Sequence, residues 1–237
     1  MNIALITAGG IGKRMGASIP KQFVEVNGKP IIIHTLDIFE DISDIDAIVI
    51  SCVKEWIPTL NKMVEKYGIK KVKSIVEGGE TGQDSIYNGL IEIEKLGPGT
   101  SYVLIHDGVR PLVKQETVIE NIIQAKEKGN AVTCVPLTET VICNDNENYA
   151  AIDRNNSLIA RAPQTFILKD LIEVHNEARK DMRHDFVDTC TLMLYYGKKI
   201  SVVYGSSENI KITTPSDIFA FKSFLQKRES EYFLNQI

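Results

Sequence analysis

A chain of 237 residues, 43% hydrophobic and 24% charged, has the balance of a globular protein that buries a sizeable core. Its net charge of -4 comes without any block of basic residues, so attraction to nucleic-acid phosphates is weak and a nucleic-acid partner is not expected. Four scattered cysteines, Cys52, Cys134, Cys143 and Cys190, form neither a C-x-x-C pair nor a dense framework, and read as free thiols in a reducing cytoplasm. The opening Met1-Asn2-Ile3-Ala4-Leu5 lacks the apolar core of a signal peptide, and no run approaches the roughly 20 apolar residues that cross a bilayer. Neither export nor a membrane is expected.

In chain order, apolar runs of strand length alternate with helix-patterned segments. Ile3 to Thr7 reads as strand, Pro30 to Phe39 as helix, Ala47 to Cys52 as strand, Ile57 to Tyr67 as helix and Lys71 to Val76 as strand. Asp84 to Lys95 then fits a helix, Tyr102 to His106 a strand, Glu116 to Lys128 a helix and Ala131 to Val135 a strand. From Thr138 to Ala160 the pattern changes: Thr140 to Cys143 and Tyr149 to Ile152 flank a turn-rich Asn144-Asp145-Asn146-Glu147-Asn148, as in a protruding hairpin. Helices return at Lys169 to Ala178 and Asp188 to Tyr196, followed by a strand at Ile200 to Tyr204 and a helix from Pro215 to Arg228. The expectation is one Rossmann-like α/β domain over residues 1–237, a mostly parallel sheet with helices on both faces and a β-hairpin arm at 138–160.

The strongest local signal is Thr7-Ala8-Gly9-Gly10-Ile11-Gly12-Lys13-Arg14-Met15 with Pro20-Lys21-Gln22 shortly after it. Glycines directly after a strand let consecutive amides form a concave anion site, which a triphosphate fits, and Arg14 and Lys21 add side-chain charge. The spacing is neither a Walker loop nor the G-x-G-x-x-G fingerprint, and a loop with three glycines has a plain structural reading as well. In Val103-Leu104-Ile105-His106-Asp107-Gly108-Val109-Arg110-Pro111, an acid and a base stand at the end of a buried strand, where open α/β sheets bind ligands. Asp107 can hold Mg2+ against phosphate oxygens, or form a structural ion pair with Arg110. His106, without a companion, is assigned to packing or hydrogen bonding.

G-G-x-G-x-R-M followed by P-K-Q resembles the signature of sugar-nucleotide pyrophosphorylases and cytidylyltransferases. It is similar in particular to the family of 2-C-methyl-D-erythritol 4-phosphate cytidylyltransferase and the ribitol 5-phosphate cytidylyltransferases, and four later segments match that family in order and spacing. The resemblance implies CTP and a polyol phosphate as partners, Mg2+ as cofactor and a homodimer. It implies nucleotide binding by Ala8, Gly9, Gly10, Gly12, Gly79 and Ser85, and catalysis by Arg14, Lys21 and Lys211. Asp107 and Arg110 would serve the polyol phosphate, with Thr140 and Arg154 reaching across the dimer to it, although a plain surface hairpin would carry the same two residues. Asp107 and Glu208 would hold the metal. Glu208 replaces the usual Asp, and Gly82 stands where an Arg is commoner. Glu208-Asn209-Ile210-Lys211 runs on to a helix start, with Thr214 as N-cap, Pro215 at the first helical position and Asp217 completing a capping box.

The acceptor is read from departures. Methylerythritol enzymes carry Thr-Pro-Gln where this chain has Ala162-Pro163-Gln164, and Thr-Asp-Glu where it has Val187-Asp188-Thr189. Each missing hydroxyl would cost an acceptor that needs it about 0.5 to 1.5 kcal/mol. Asp188-Thr189-Cys190 is closer to the ribitol branch, so D-ribitol 5-phosphate is the expected acceptor and methylerythritol phosphate the alternative. A non-catalytic nucleotide-binding protein and a UTP- or dTTP-dependent sugar 1-phosphate nucleotidyltransferase are the remaining readings.

Overall fold

Alternation along the first strand divides the molecule into two cores. The structure is a computed structural model describing residues 1–10, 19–145 and 148–234. Within β1 (Asn2–Ala8), Ala4 and Ile6 enter one apolar cluster while Ile3 and Leu5 enter another on the opposite face, the period of two that a strand imposes. The next elements are β2 (Glu25–Val26), β3 (Lys29–Pro30), α1 (Ile31–Asp41), β4 (Ala47–Cys52), α2 (Ile57–Lys66), β5 (Val72–Glu77), α3 (Gly82–Glu94), β6 (Tyr102–Asp107), α4 (Gln115–Lys128) and β7 (Asn130–Pro136). They are followed by β8 (Ile142–Asp145), β9 (Asn148–Ala151), β10 (Leu158–Ile167), α5 (Leu168–Lys180), α6 (Thr189–Tyr195), β11 (Val202–Tyr204) and α7 (Pro215–Leu234).

Among the described residues, seven strands form the central sheet in the order β11-β7-β10-β6-β1-β4-β5. β1 runs parallel to β4 and β6, with Ile3 opposite Ala47 and Thr7 opposite Asp107. β10 alone is antiparallel to its neighbours, β6 and β7. Leu36, Phe39, Leu60 and Val118 bring α1, α2 and α4 onto one face; Leu90, Ile93, Val174 and Met193 bring α3, α5 and α6 onto the other. The sheet therefore has both faces covered, as its continuous apolar strands require.

Most expected elements appear within one to three residues of their read positions, and α7 extends past Arg228 to Leu234. The difference of substance is β10. The sequence reading assigned 158–160 to the arm and left 161–167 without an element, because Arg161 and Pro163 interrupt the apolar pattern; the structure makes the whole stretch a central strand. It accommodates Pro163 by an irregularity: Ala160 is opposite Cys134 and Gln164 opposite Val132, so three residues of β10 face one of β7. The arm itself is β8 paired with β9, Ile142 opposite Ala151, with Ile142 and Tyr149 exposed.

α3 lies close to the sheet because Gly89 has no side chain. A Cβ there would collide with Leu5 Cδ1 and come within 2.8 Å of Ser51 Oγ. Gly89→Ala should lower unfolding stability by about 1–3 kcal/mol, seen as a reduced urea midpoint at unchanged m-value; an unchanged midpoint would show that the contact yields freely.

Candidate active site

In open α/β sheets ligands enter where consecutive connections leave a strand in opposite directions. Here β1 is that strand: the chain passes from it to β4 and β5 on one side, and later returns to β6 on the other. A cavity of about 580 Å³ opens at this point, above the carboxyl ends of β1 and β6.

Its first wall follows β1. Ala8, Gly9 and Gly10 line the cavity, and so does Lys21. What holds Lys21 beside the glycines is Gln22, whose buried side-chain amide donates to Ala8 O at 2.7 Å and Gly10 O at 3.1 Å. Lys21 to Phe23 form a single 3-10 turn, and Phe23 stacks on Trp56 with ring centroids 4.6 Å apart, fixing the turn against the body. Gly12 and Arg14 lie outside the described residues.

The second wall is the connection from β5 to α3. Thr81 caps the helix, its hydroxyl oxygen accepting from Asp84 N at 3.0 Å, while Arg179 and His184 each approach the Asp84 carboxylate at 3.1 Å. Gly79 is required by this close turn, since a Cβ would strike Asp84 Cβ. Gly79 and Ser85 both line the cavity. The Ser85 hydroxyl, however, is engaged inside the loop: it donates to Thr81 O at 2.9 Å and accepts from Gly79 N at 3.0 Å. Its observed part is to shape the loop.

The centre of the site is Asp107. One carboxylate oxygen accepts from Arg110 Nε at 2.7 Å and the other meets Lys211 Nζ at 2.7 Å. Burial would raise the carboxyl's pKa, but the two cations and their hydrogen bonds prevail and hold it well below the usual carboxylate range. Arg110 also donates through Nη1 to Asn209 O at 2.8 Å, and Asn209 donates to Ala162 O at 2.7 Å. Lys211 is delivered by the segment before α7, where Ile212 N bonds Val109 O at 2.9 Å and Asp217 gathers the backbone N–H and hydroxyl of both Thr213 and Thr214. Lys21 and Lys211, far apart in sequence, line one cavity.

The third wall is β10 with the start of α6. Gln164 is the organiser, donating to Asp188 Oδ2 at 3.0 Å and accepting from Cys190 N at 2.8 Å. Two lining groups carry no expectation from the sequence, Arg161, whose Nε is buried without a hydrogen-bond partner, and His175; Thr189, read with Asp188 and Cys190 as a mark of the acceptor branch, also lines the cavity with its buried hydroxyl unpartnered. A charged residue inside an otherwise apolar strand was the one available signal for Arg161.

Three expected residues are not brought to this cavity. Glu208 does not line it; its carboxylate accepts from Lys227 on α7 at 2.9 Å. Thr140 is exposed at the base of the arm, and Arg154 lines a separate open depression beside Leu158 and Tyr204. The expected metal pair of Asp107 and Glu208 is therefore not assembled, and among the described residues no three His, Cys, Asp or Glu side chains are grouped to hold an ion. Asp107 already carries two cations, so the residues present do not fit a resident metal. Among the described residues no helix is long and apolar enough to cross a membrane.

Two polyanions could be neutralised in such a crevice, and the fold agrees with that chemistry. The structure superposes with a TM-score of 0.82 on the 4-diphosphocytidyl-2C-methyl-D-erythritol synthase of Anaerococcus prevotii, at 28% identity over 95% of this chain and 96% of that one. Sheet order, glycine loops and convergent lysines together define a nucleotidyltransferase of the Rossmann-like type. The family model for 2-C-methyl-D-erythritol 4-phosphate cytidylyltransferase matches residues 2–227, and the chain belongs to that family. Among its relatives, a ribitol-5-phosphate cytidylyltransferase of Vibrio parahaemolyticus is 49% identical over 97% of this chain and 98% of that protein, and one of Streptococcus agalactiae is 48% identical over 98% of each. A 2-C-methyl-D-erythritol 4-phosphate cytidylyltransferase of Alkaliphilus oremlandii is 37% identical over 94% of each.

His106 and His175 are buried, and desolvation pushes both down to about 4. His106 packs on Phe39 and contacts Arg110 O at 3.2 Å, as expected for a structural histidine. A folded-state pKa below the unfolded value of about 6.5 means that the unfolded chain binds more protons in between; stability is full above that value and falls as pH drops towards 4. His175→Phe should make the urea midpoint fall less steeply between pH 7 and 4.5 than it does in the wild type. An equal or steeper fall would contradict this assignment.

Proposed function

We propose that the chain transfers the cytidylyl group of CTP to D-ribitol 5-phosphate, releasing pyrophosphate. The observation that carries the reading is the convergence of Lys21 and Lys211 on one crevice beside the glycine-rich turn and the Asp107–Arg110 pair. The acceptor follows from its relatives' names and from the crevice wall. Relatives named for ribitol 5-phosphate span 38–49% identity, four of them at 47–49%, and those named for the methylerythritol substrate 36–38%. Ala162 lines the cavity where methylerythritol enzymes carry a threonine.

A phosphate monoester is largely ionised near neutral pH, so its oxygen attacks without a general base. The new bond forms between that oxygen and the α-phosphorus of CTP, the bond from the α-phosphorus to the bridging oxygen breaks, and pyrophosphate leaves with the electron pair. The protein's part is to hold both anions in line and to meet charge growing on the α-phosphate and leaving group. In this reading Ala8, Gly9, Gly10 and Gly79 bound the nucleotide. Lys21 faces the triphosphate. Lys211, kept in place by Asp107, turns to the α-phosphate as it arrives. Mg2+ would accompany the triphosphate as its counter-ion, with no residue of this chain assigned to hold it.

The exposed ribbon of β8 and β9 is read as a dimerisation arm. A two-stranded hairpin buries little by itself, and a second subunit would cover Ile142 and Tyr149 while carrying Thr140 and Arg154 towards the partner's acceptor site. A reducing cytoplasm suits the buried free thiols of Cys52, Cys134 and Cys190.

Lys21→Ala and Lys211→Ala should each lower kcat about a hundredfold or more, measured as pyrophosphate release from CTP with ribitol 5-phosphate. Near-normal turnover in both would remove the mechanism. The wild type assayed with CTP, UTP and dTTP against a panel of polyol phosphates tests the substrates: preference for methylerythritol phosphate would reverse the acceptor, and nucleotide binding without turnover would make the chain a binding protein.

A further inference from the structure

Arg161 is a cation without an anion. It lines the cavity, its Nε is buried with no hydrogen-bond partner, and among the described residues no carboxylate comes within salt-bridge distance of it. Its nearest charged influence is another cation, Arg110, which together with burial lowers its pKa. A half-buried guanidinium with no carboxylate on it and another cation beside it gains little in the free protein, and its presence is understandable if a ligand supplies the missing charge.

The fold says which ligand that is. The glycine-rich turn follows β1 and the Gly79–Ser85 loop follows β5, so the nucleotide's walls belong to the β1-β4-β5 half of the sheet. Arg161 stands on β10, across β6 from that half. Its strand is irregular there, and the three residues from Arg161 to Pro163 are anchored on both sides: Ala162 O accepts from Asn209, and Pro163 O accepts from Thr133 Oγ1 at 2.8 Å. Asn209 also accepts from Arg110, so the two arginines are set by one bridging residue. Arg161 thus adds a cation to the side of the cavity that already holds Arg110 and Lys211.

We propose that Arg161 grips the phosphate of the polyol acceptor, from the subunit that also binds the nucleotide, and helps select a phosphorylated acceptor. The inference rests on the polyol-phosphate reading above and adds a residue to it. Arg161 is a binding residue here and takes no proton.

The test is steady-state kinetics and thermal unfolding of the full chain with Arg161→Met and Arg161→Lys, using the polyol phosphate that the wild type turns over best. In Arg161→Met, KM for the acceptor should rise about ten- to a hundredfold while KM for CTP stays within twofold. Arg161→Lys should recover part of that loss. Without ligand, Arg161→Met should melt no lower than the wild type, because the cation removed has no carboxylate partner and stands beside Arg110. An unchanged acceptor KM overturns the inference, as does a lower melting temperature with acceptor and CTP constants worsening together and no recovery by lysine. A wild type inactive with every polyol phosphate would instead sink the reaction itself, a different result from an active enzyme indifferent to Arg161.

Discussion

A carboxylate held between two cations organises this protein's crevice. Asp107 sits at the end of a buried strand, and without Arg110 and Lys211 on its two oxygens it could not remain ionised there. The triad brings three parts of the chain to one place: the end of β6, the turn just after it, and the segment that leads into α7. Lys211 is consequently held at the cavity wall by its salt bridge to Asp107. Arg110, mostly buried and also bonded to Asn209, stays fixed.

Around that centre, neutral polar side chains do the shaping. Gln22, Ser85, Asn209 and Gln164 each bond backbone groups of a neighbouring segment, and each is buried to 5% exposure or less. Buried amides and hydroxyls of this kind are favourable only when satisfied, so they fix loop geometry more narrowly than apolar packing does. The charged groups can then face the cavity on backbone that has little freedom to retreat from a polyanion.

Much of the fold was legible because β1, β4 and β6 are uninterrupted apolar runs and the helices between them keep a 3.6-residue spacing. β10 was not, because Pro163 and Arg161 break its pattern; only tertiary pairing on both sides makes it a strand. The site was legible where chemistry follows sequence locally, as with Ala8 to Gly10, Lys21, and Asp107 with Arg110. Glu208 was misread because adjacency to Lys211 says nothing about direction: a tight turn at Ser206 to Asn209 sends its side chain to Lys227. Ser85 lines the cavity, and its hydroxyl is engaged with Gly79 N and Thr81 O, a partnership that its position in the sequence does not reveal. Arg161 and His175 belong to no local motif, and only the folded chain reveals that they share a cavity with Thr189.

The reversed direction of β10 has one further effect. Parallel strands present their carboxyl ends to a ligand, and those ends normally continue as loops that move when their residues change. An antiparallel strand entering the same edge offers interior positions instead, here between paired stretches at residues 158–160 and 164–166. Residues 161 and 162 lie in the irregular stretch between the paired Ala160 and Gln164, pinned by Asn209 on Ala162 O and Thr133 on Pro163 O, so a side chain there can be exchanged while those anchors hold the backbone. Such a wall is a fixed socket with replaceable fittings, and it gives a single scaffold the means to change customers among small phosphorylated alcohols while the nucleotide half stays as it is.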